Sequence, residues 1–283
     1  MRTYAIASGK GGVGKSTLSA NLGCAMTQKG WNVLLFDADL TLANLDVMLG
    51  VKPQFTLQHV LADAKTLKEV ITPSHYGVGL VAGGSAVSSI MRAGKKRIGK
   101  FLGQVAEIQE EYDALIFDLS AGLDNKVLTF CRLVDELVAV TTPDPAAILD
   151  VYALAKVTFR YRPDALIRVV VNQCENETEA KSIFAKLQAA TQNFLNQDLE
   201  YGGFVRADAE AAECVRLRTP FVYAHPELPA SKDVSKLAAD LMHWASKSHG
   251  SHFMERMEAE GMIEATESAE APAESEAPLP QAA

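Results

Sequence analysis

Short runs of apolar residues alternate along the chain with stretches whose apolar positions recur every three or four residues. The short runs predict strands at Thr3–Ser8, Val33–Phe36, Gly79–Ala82, Ala114–Asp118, Leu137–Thr141, Ile167–Asn172 and Tyr201–Val205. Several of them are apolar at nearly every position, as in strands covered on both faces. The intervening stretches read as helices. Examples are Leu18, Leu22, Ala25 and Met26 after the first strand, and Val234, Leu237, Ala238, Leu241 and Trp244 in a closing helix. This alternation predicts an α/β fold, a mostly parallel twisted sheet with helices on both faces. Ligands of such sheets bind at the carboxyl ends of the strands.

The first strand runs into Gly9-Lys10-Gly11-Gly12-Val13-Gly14-Lys15-Ser16-Thr17, a phosphate-binding loop of the form G-x-x-x-x-G-K-[ST] in its strand–loop–helix setting. Glycines at 9, 11, 12 and 14 let the backbone turn and bring its N–H groups close to a polyphosphate. The helix that follows adds its free N-terminal donors and the positive end of its dipole. Lys15 brings a point charge to the β- and γ-phosphates, and Ser16 offers its hydroxyl to Mg²⁺. Residues 11–17 are therefore the candidate nucleotide-binding segment.

Other candidates fall at strand tips. Leu34-Leu35-Phe36-Asp37-Ala38-Asp39 ends a strand with carboxylates at i and i+2, which point the same way. Leu115-Ile116-Phe117-Asp118 places a second acid where a carboxylate holds Mg²⁺ through water. Val169-Val170-Val171-Asn172 ends with an amide able to read an adenine edge.

The lysine at the second position of the loop, Lys10, is similar to that of the deviant Walker A ATPases of the ParA/MinD/NifH class. The likeness spans residues 1 to about 245. Ala43-Asn44-Leu45-Asp46, Thr142-Pro143-Asp144-Pro145 through Tyr152-Ala153-Leu154, and Phe194-Leu195 through Tyr201 most resemble the FlhG/FleN group of flagellar number and placement regulators. The resemblance implies ATP and Mg²⁺ as ligands, and an ATP-dependent homodimer in which Lys10 reaches the nucleotide of the second copy. It implies slow, partner-stimulated hydrolysis with Asp39 orienting the attacking water and Asp37 supporting the metal shell. Gly122, in Ser120-Ala121-Gly122, would sense the γ-phosphate at the second switch. Asp144 and Asp150 become candidates for the dimer interface, with acids in a helix's first turn as the equal alternative. Val205 and Asp208 flank the expected base pocket, where Arg206 stands in place of the family's proline.

Composition adds limits. The net charge is −8, and repeated glutamates from Glu255 to Glu276, set among Ala, Ser and Pro, carry much of the excess. Two parts are expected: a P-loop ATPase domain over 1–248 and an acidic disordered tail over 249–283. Cys24, Cys131, Cys174 and Cys214 are scattered without a C-x-x-C pair, which suggests a cytoplasmic protein without a disulfide framework. Peripheral membrane association through Ser251–Ile263 is weakly supported, because its acidic charge opposes anionic lipid. DNA binding is disfavoured by the acidic balance. Arg92, Lys95, Lys96, Arg97 and Lys100 form either a solvated helix face or a docking patch. The expected role is spatial control by a dimerisation switch, with a flagellar or other polar component as protein partner. The alternatives are a positioning ATPase for a chromosome, polar complex or division site, and an iron–sulfur carrier.

Overall fold

The computed structural model describes residues 1–38, 45–83, 103–105, 107–246 and 252–259. In chain order the elements are β1 (Arg2–Ala7), α1 (Lys15–Gln28), β2 (Val33–Ala38), α2 (Leu45–Met48), α3 (Leu57–Leu61), α4 (Leu67–Val70), β3 (Thr72–Pro73) and β4 (Gly79–Ala82). There follow β5 (Ala114–Leu119), α5 (Asn125–Leu133), β6 (Glu136–Thr141), α6 (Pro145–Tyr161), β7 (Leu166–Cys174) and α7 (Glu177–Leu195). The last are β8 (Glu200–Arg206), α8 (Ala209–Arg216), α9 (Phe221–Ala224), α10 (Pro229–Ser246) and α11 (Phe253–Ala259). The strands form one sheet in the order β3-β4-β2-β5-β1-β6-β7-β8. Every pairing is parallel except the short β3–β4 contact.

The α/β expectation holds, and all seven expected strands are present with ends within two residues of those read from the sequence. Only β3 escaped it, a two-residue edge strand that includes a proline. Alternate strand residues feed two cores. Tyr4, Ile6, Leu35, Ile116, Val138 and Val170 face α1 and α10, whereas Ala5, Phe36, Phe117, Leu137, Val169 and Val171 face α5, α6 and α7. On the closing helix α10, Val234, Leu237, Ala238 and Leu241 are buried as their spacing predicts.

The amino ends of the central strands are tied by buried charge. Glu136, fully buried at the start of β6, takes Arg2 at 3.1 Å and Arg168 at 2.5 Å. The Arg168 guanidinium also lies 3.8 Å from the ring centroid of Trp244, so α10 joins the cluster. Asp135 accepts from the Thr3 backbone N–H at 2.9 Å and from its hydroxyl at 2.8 Å.

Beyond 248 the described residues resume at 252–259. Helix α11 packs Phe253 and Met257 into the α5–α7 core, with the Phe253 ring stacked on Phe117 at 5.6 Å. Arg256 reaches the carbonyl oxygens of Leu133 and Val134 and the Asp135 carboxylate, which also accepts from the His252 N–H. Glutamates dominate the composition here, but the apolar residues sit at i and i+4, on one side of a helix. Of the tail expected from 249, residues 252–259 are described as this helix and its start, and 249–251 and 260–283 lie outside the described residues. Phe253→Ala should lower unfolding stability by about 3 kcal/mol, as for other buried aromatics. Urea denaturation checks this, and a change below about 1 kcal/mol would mean that α11 contributes no core.

Candidate nucleotide-binding site

The loop between β1 and α1 lies at the carboxyl edge of the sheet, between the tips of β5 and β6. Gly12 and Gly14 hold positive φ values of 83° and 89°, and Gly14 is the N-cap of α1. A side chain at Gly14 would overlap the amide of Asn172, and one at Gly9 would overlap Asp150 on α6. The two glycines therefore serve close packing of the loop as well as its turn. Lys10, Gly11 and Gly12 are exposed, Val13 and Lys15 are buried, and Ser16 and Thr17 are half-buried in the first turn of α1.

Asp37 and Asp118 are register partners on neighbouring strands, and each is 1% exposed. Both lie on the α1 face of the sheet, because Leu35 and Ile116, two residues earlier, belong to that core. The Ser19 hydroxyl, one turn after Lys15, is 2.9 Å from Asp118 Oδ1 and 3.0 Å from the Lys15 carbonyl oxygen. The Leu45 N–H donates to Asp37 Oδ2 at 3.3 Å. Two buried carboxylates side by side are costly without a cation nearby. Their oxygens, and the Ser16 hydroxyl in the first turn of α1, are hard donors of the kind that Mg²⁺ takes. Asp39 lies outside the described residues.

Beside the loop a cavity of about 220 Å³ is lined by Gly14, Thr17, Asn172, Gln173, Val205 and Asp208, among others. The three residues expected at the base are thus together. The Asn172 amide donates to the Val13 carbonyl at 2.7 Å, bracing the loop, and Asp208 caps α8 through the N–H groups of Glu210 and Ala211. Arg206 borders the cavity, and its guanidinium is held in a two-pronged pair with Asp233 of α10, at 2.7 and 2.8 Å. That clamp accommodates an arginine where a proline was expected.

Gln173 escaped the sequence reading. It is exposed on the cavity rim at φ 56°, where the β7–β8 register shifts. A left-handed glutamine at a strand end leaves no trace in hydrophobic spacing. Ser19 was more legible, one helical turn from Lys15.

The interface candidates make contacts within the chain. Lys10 Nζ pairs with Asp144, whose other oxygen accepts from the Ala146 N–H and caps α6. Asp150 packs against Gly9, one turn and a half further along α6. The Gly122 N–H, at φ 112°, donates to the Ser8 carbonyl at 3.0 Å, which ties the segment after β5 to the start of the loop. All four cysteines are buried, and burial pushes the thiols of Cys24 and Cys131 up to about 12. Among the described residues no group of three or more His, Cys, Asp or Glu side chains is placed to hold a metal ion.

The fold and the loop define a nucleotide-binding P-loop protein. A family model, ParA, described as NUBPL iron-transfer P-loop NTPase, matches residues 1–242. Antiactivator FleN of Pseudomonas aeruginosa is 31% identical over 261 residues, 91% of this chain and 93% of its own. Flagellum site-determining protein YlxH of Helicobacter pylori is 32% identical over 240 residues, 84% of this chain and 81% of its own. Among solved structures, the septum site-determining protein MinD of Pyrococcus horikoshii, complexed with Mg-ADP, aligns with a TM-score of 0.69 and 25% identity. That alignment covers 87% of this chain and 99% of MinD. The chain belongs to the ParA family of P-loop NTPases.

The Lys10–Asp144 pair makes a solution prediction. Its hydrogen bond lowers the Asp144 pKa below the ordinary aspartate value and raises that of Lys10. The interaction is therefore complete across the neutral range. It fades as pH falls through the lowered Asp144 value, or rises through the raised Lys10 value. Carboxyl-detected NMR should show Asp144 titrating low and moving upward in Lys10→Ala. An unmoved midpoint would mean that the pair does not persist in solution.

Proposed function

We propose that the chain is an ATP-dependent dimerisation switch that sets the number or placement of flagella. The observation that carries the reading is the position of Lys10, exposed on the rim of the loop while Lys15 is buried within it. A rim lysine is poised to reach a second copy. The likeness to FleN and YlxH over most of the chain supports the flagellar assignment.

In the resting protomer Asp144 holds Lys10. ATP lies with its phosphates against the N–H groups of residues 11–17 and the Lys15 ammonium, and its base in the cavity bordered by Asn172, Val205 and Asp208. Ser16, with Asp37 and Asp118 through water, would hold Mg²⁺, which offsets the charge of the β- and γ-phosphates. When two loaded protomers meet, Lys10 leaves Asp144 for the nucleotide of the second copy, and Asp144 and Asp150 line the contact. Asp39 then orients a water whose oxygen attacks the γ-phosphorus as the β–γ bond breaks. ADP, phosphate and a proton result, and the dimer parts. Turnover is slow until a partner protein stimulates it.

The same mechanism serves a positioning ATPase for another cargo, a reading supported by the fold shared with MinD. The iron–sulfur alternative has less support, because buried thiols held in the protonated form are poor ligands. Membrane attachment through α11 also has little, since Phe253 and Met257 are inside the core. No helix among the described residues is long and apolar enough to cross a membrane. The basic stretch at 92–100 lies outside the described residues.

Lys15→Ala should abolish nucleotide binding, whereas Lys10→Ala should bind ATP normally and stay monomeric in light scattering. A Lys10→Ala dimer with ATP would remove the switch reading. The cargo is tested by affinity capture from the native cell with Asp39→Ala against a Lys15→Ala control. Enrichment of flagellar switch, export or regulatory proteins is expected, and enrichment of chromosome or division components instead would discard the flagellar role.

A further inference from the structure

Gln173 is left-handed inside a strand, at φ 56° within β7. The other non-glycine residues with positive φ among those described are Asp63, Asn196 and Arg218. Each of these lies within two residues of a helix's carboxyl end, where that conformation is ordinary. At Gln173 the cause is a bulge. Asn172 pairs with Val205 and Cys174 with Arg206, so two steps along β7 match one along β8, and Gln173 is the extra residue.

The bulge decides which way Gln173 points. Val170 faces the α1–α10 core and Val171 the opposite one. In an unbroken strand Gln173 would share the side of Val171, and Cys174 that of Val170. Instead Cys174 is buried with Val171 in the α5–α7 core. The extra residue has reversed the alternation, and Asn172 and Gln173, neighbours in sequence, both line the cavity beside the loop.

The polar side chains of that cavity differ in what they have free. Asn172 gives an amide hydrogen to the Val13 carbonyl, and Asp208 accepts from two N–H groups of α8. Arg206 is clamped by Asp233. The Gln173 carboxamide has no hydrogen-bond partner among the described residues. Its Nε2 lies 3.7 Å from the point where a side chain on Gly14 would begin, so the amide overlooks the N-cap of α1. An exposed glutamine adds no core to offset its strained backbone, and strain of this kind gathers at ligand sites.

We propose that Gln173 reads the nucleotide base and selects adenine over guanine. A carboxamide sets an acceptor beside a donor, which matches the N6 amino group beside the N7 acceptor of adenine. Guanine puts the O6 acceptor in place of that amino group. Whichever way the amide is turned, one guanine acceptor then faces the Gln173 carbonyl oxygen, and that pairing is repulsive. This deepens the proposed switch by naming what selects its nucleotide, and it rests on that reading.

The test is calorimetric titration of the full chain with ATP, GTP and purine riboside triphosphate, which is ATP without the amino group, each with Mg²⁺. The parent should bind ATP about tenfold tighter than the other two, and Gln173→Ala should bind all three within about twofold by losing affinity for ATP. Gln173→Gly should lose the preference as well, yet melt about 2 °C higher, because glycine holds positive φ without strain. Lys10→Ala should keep the parent's preference, so a failed switch and a failed base reading are separately visible. A preference for ATP that survives Gln173→Ala would overturn the proposal, since another group would then read the base. An equal fall for all three nucleotides would also overturn it, by making Gln173 a brace of the loop. So would a parent that binds ATP and GTP alike, or a Gln173→Gly protein that melts lower.

Discussion

Strand β1 has to be held at a fixed height in the sheet, because the phosphate loop is its direct continuation. A slip of one residue would turn its apolar side chains to the wrong cores and move the loop relative to its carboxylates. The structure prevents this at the amino end of the strand. Thr3 is fixed to Asp135 by hydrogen bonds from its backbone and its hydroxyl, and Arg2 to the buried Glu136. Asp135 also receives α11, and Glu136 receives Arg168 beneath Trp244. Charged groups that look unrelated in sequence thus converge on one mechanical task, some distance from any ligand.

At the opposite end the charges are arranged by depth. Asp37, Asp118 and Lys15 are buried together below the loop, whereas Lys10 and Asp144 lie on its rim in water. Buried charges in a fixed frame interact strongly, while exposed ones are screened and exchange partners readily. In the switch we propose, the inner set grips phosphate and metal for as long as nucleotide is bound. The outer pair is suited to being remade, which a contact formed only in one nucleotide state requires.

Most of this was legible in the residues. Continuous apolar runs located the buried parallel strands, and the glycine pattern located the loop. Asp37 and Asp118 could be read as site residues because each ends such a strand. What spacing could not show were contacts between distant segments that obey no period: Arg206 with Asp233, Asn172 with the Val13 carbonyl, and Lys10 with Asp144. Composition alone gives no sign of α11, where an apolar pair one helical turn apart sits among glutamates. Gln173 was invisible for another reason, since a left-handed conformation at a non-glycine residue is imposed by its surroundings.

The hydrogen bond from Gly122 to the Ser8 carbonyl has a consequence for reversibility. A sensor that offered an idle N–H to the γ-phosphate would gain a bond on loading and lose it outright on hydrolysis. In the switch we propose, the donor is occupied in both conditions, by the Ser8 carbonyl at rest and by phosphate oxygen when the nucleotide is intact. The swap resembles a relay contact that closes one circuit as it opens another. The net change is the difference between two hydrogen bonds, small beside either alone. A toggle built this way sits near balance, so modest forces from a neighbouring protein can set its direction.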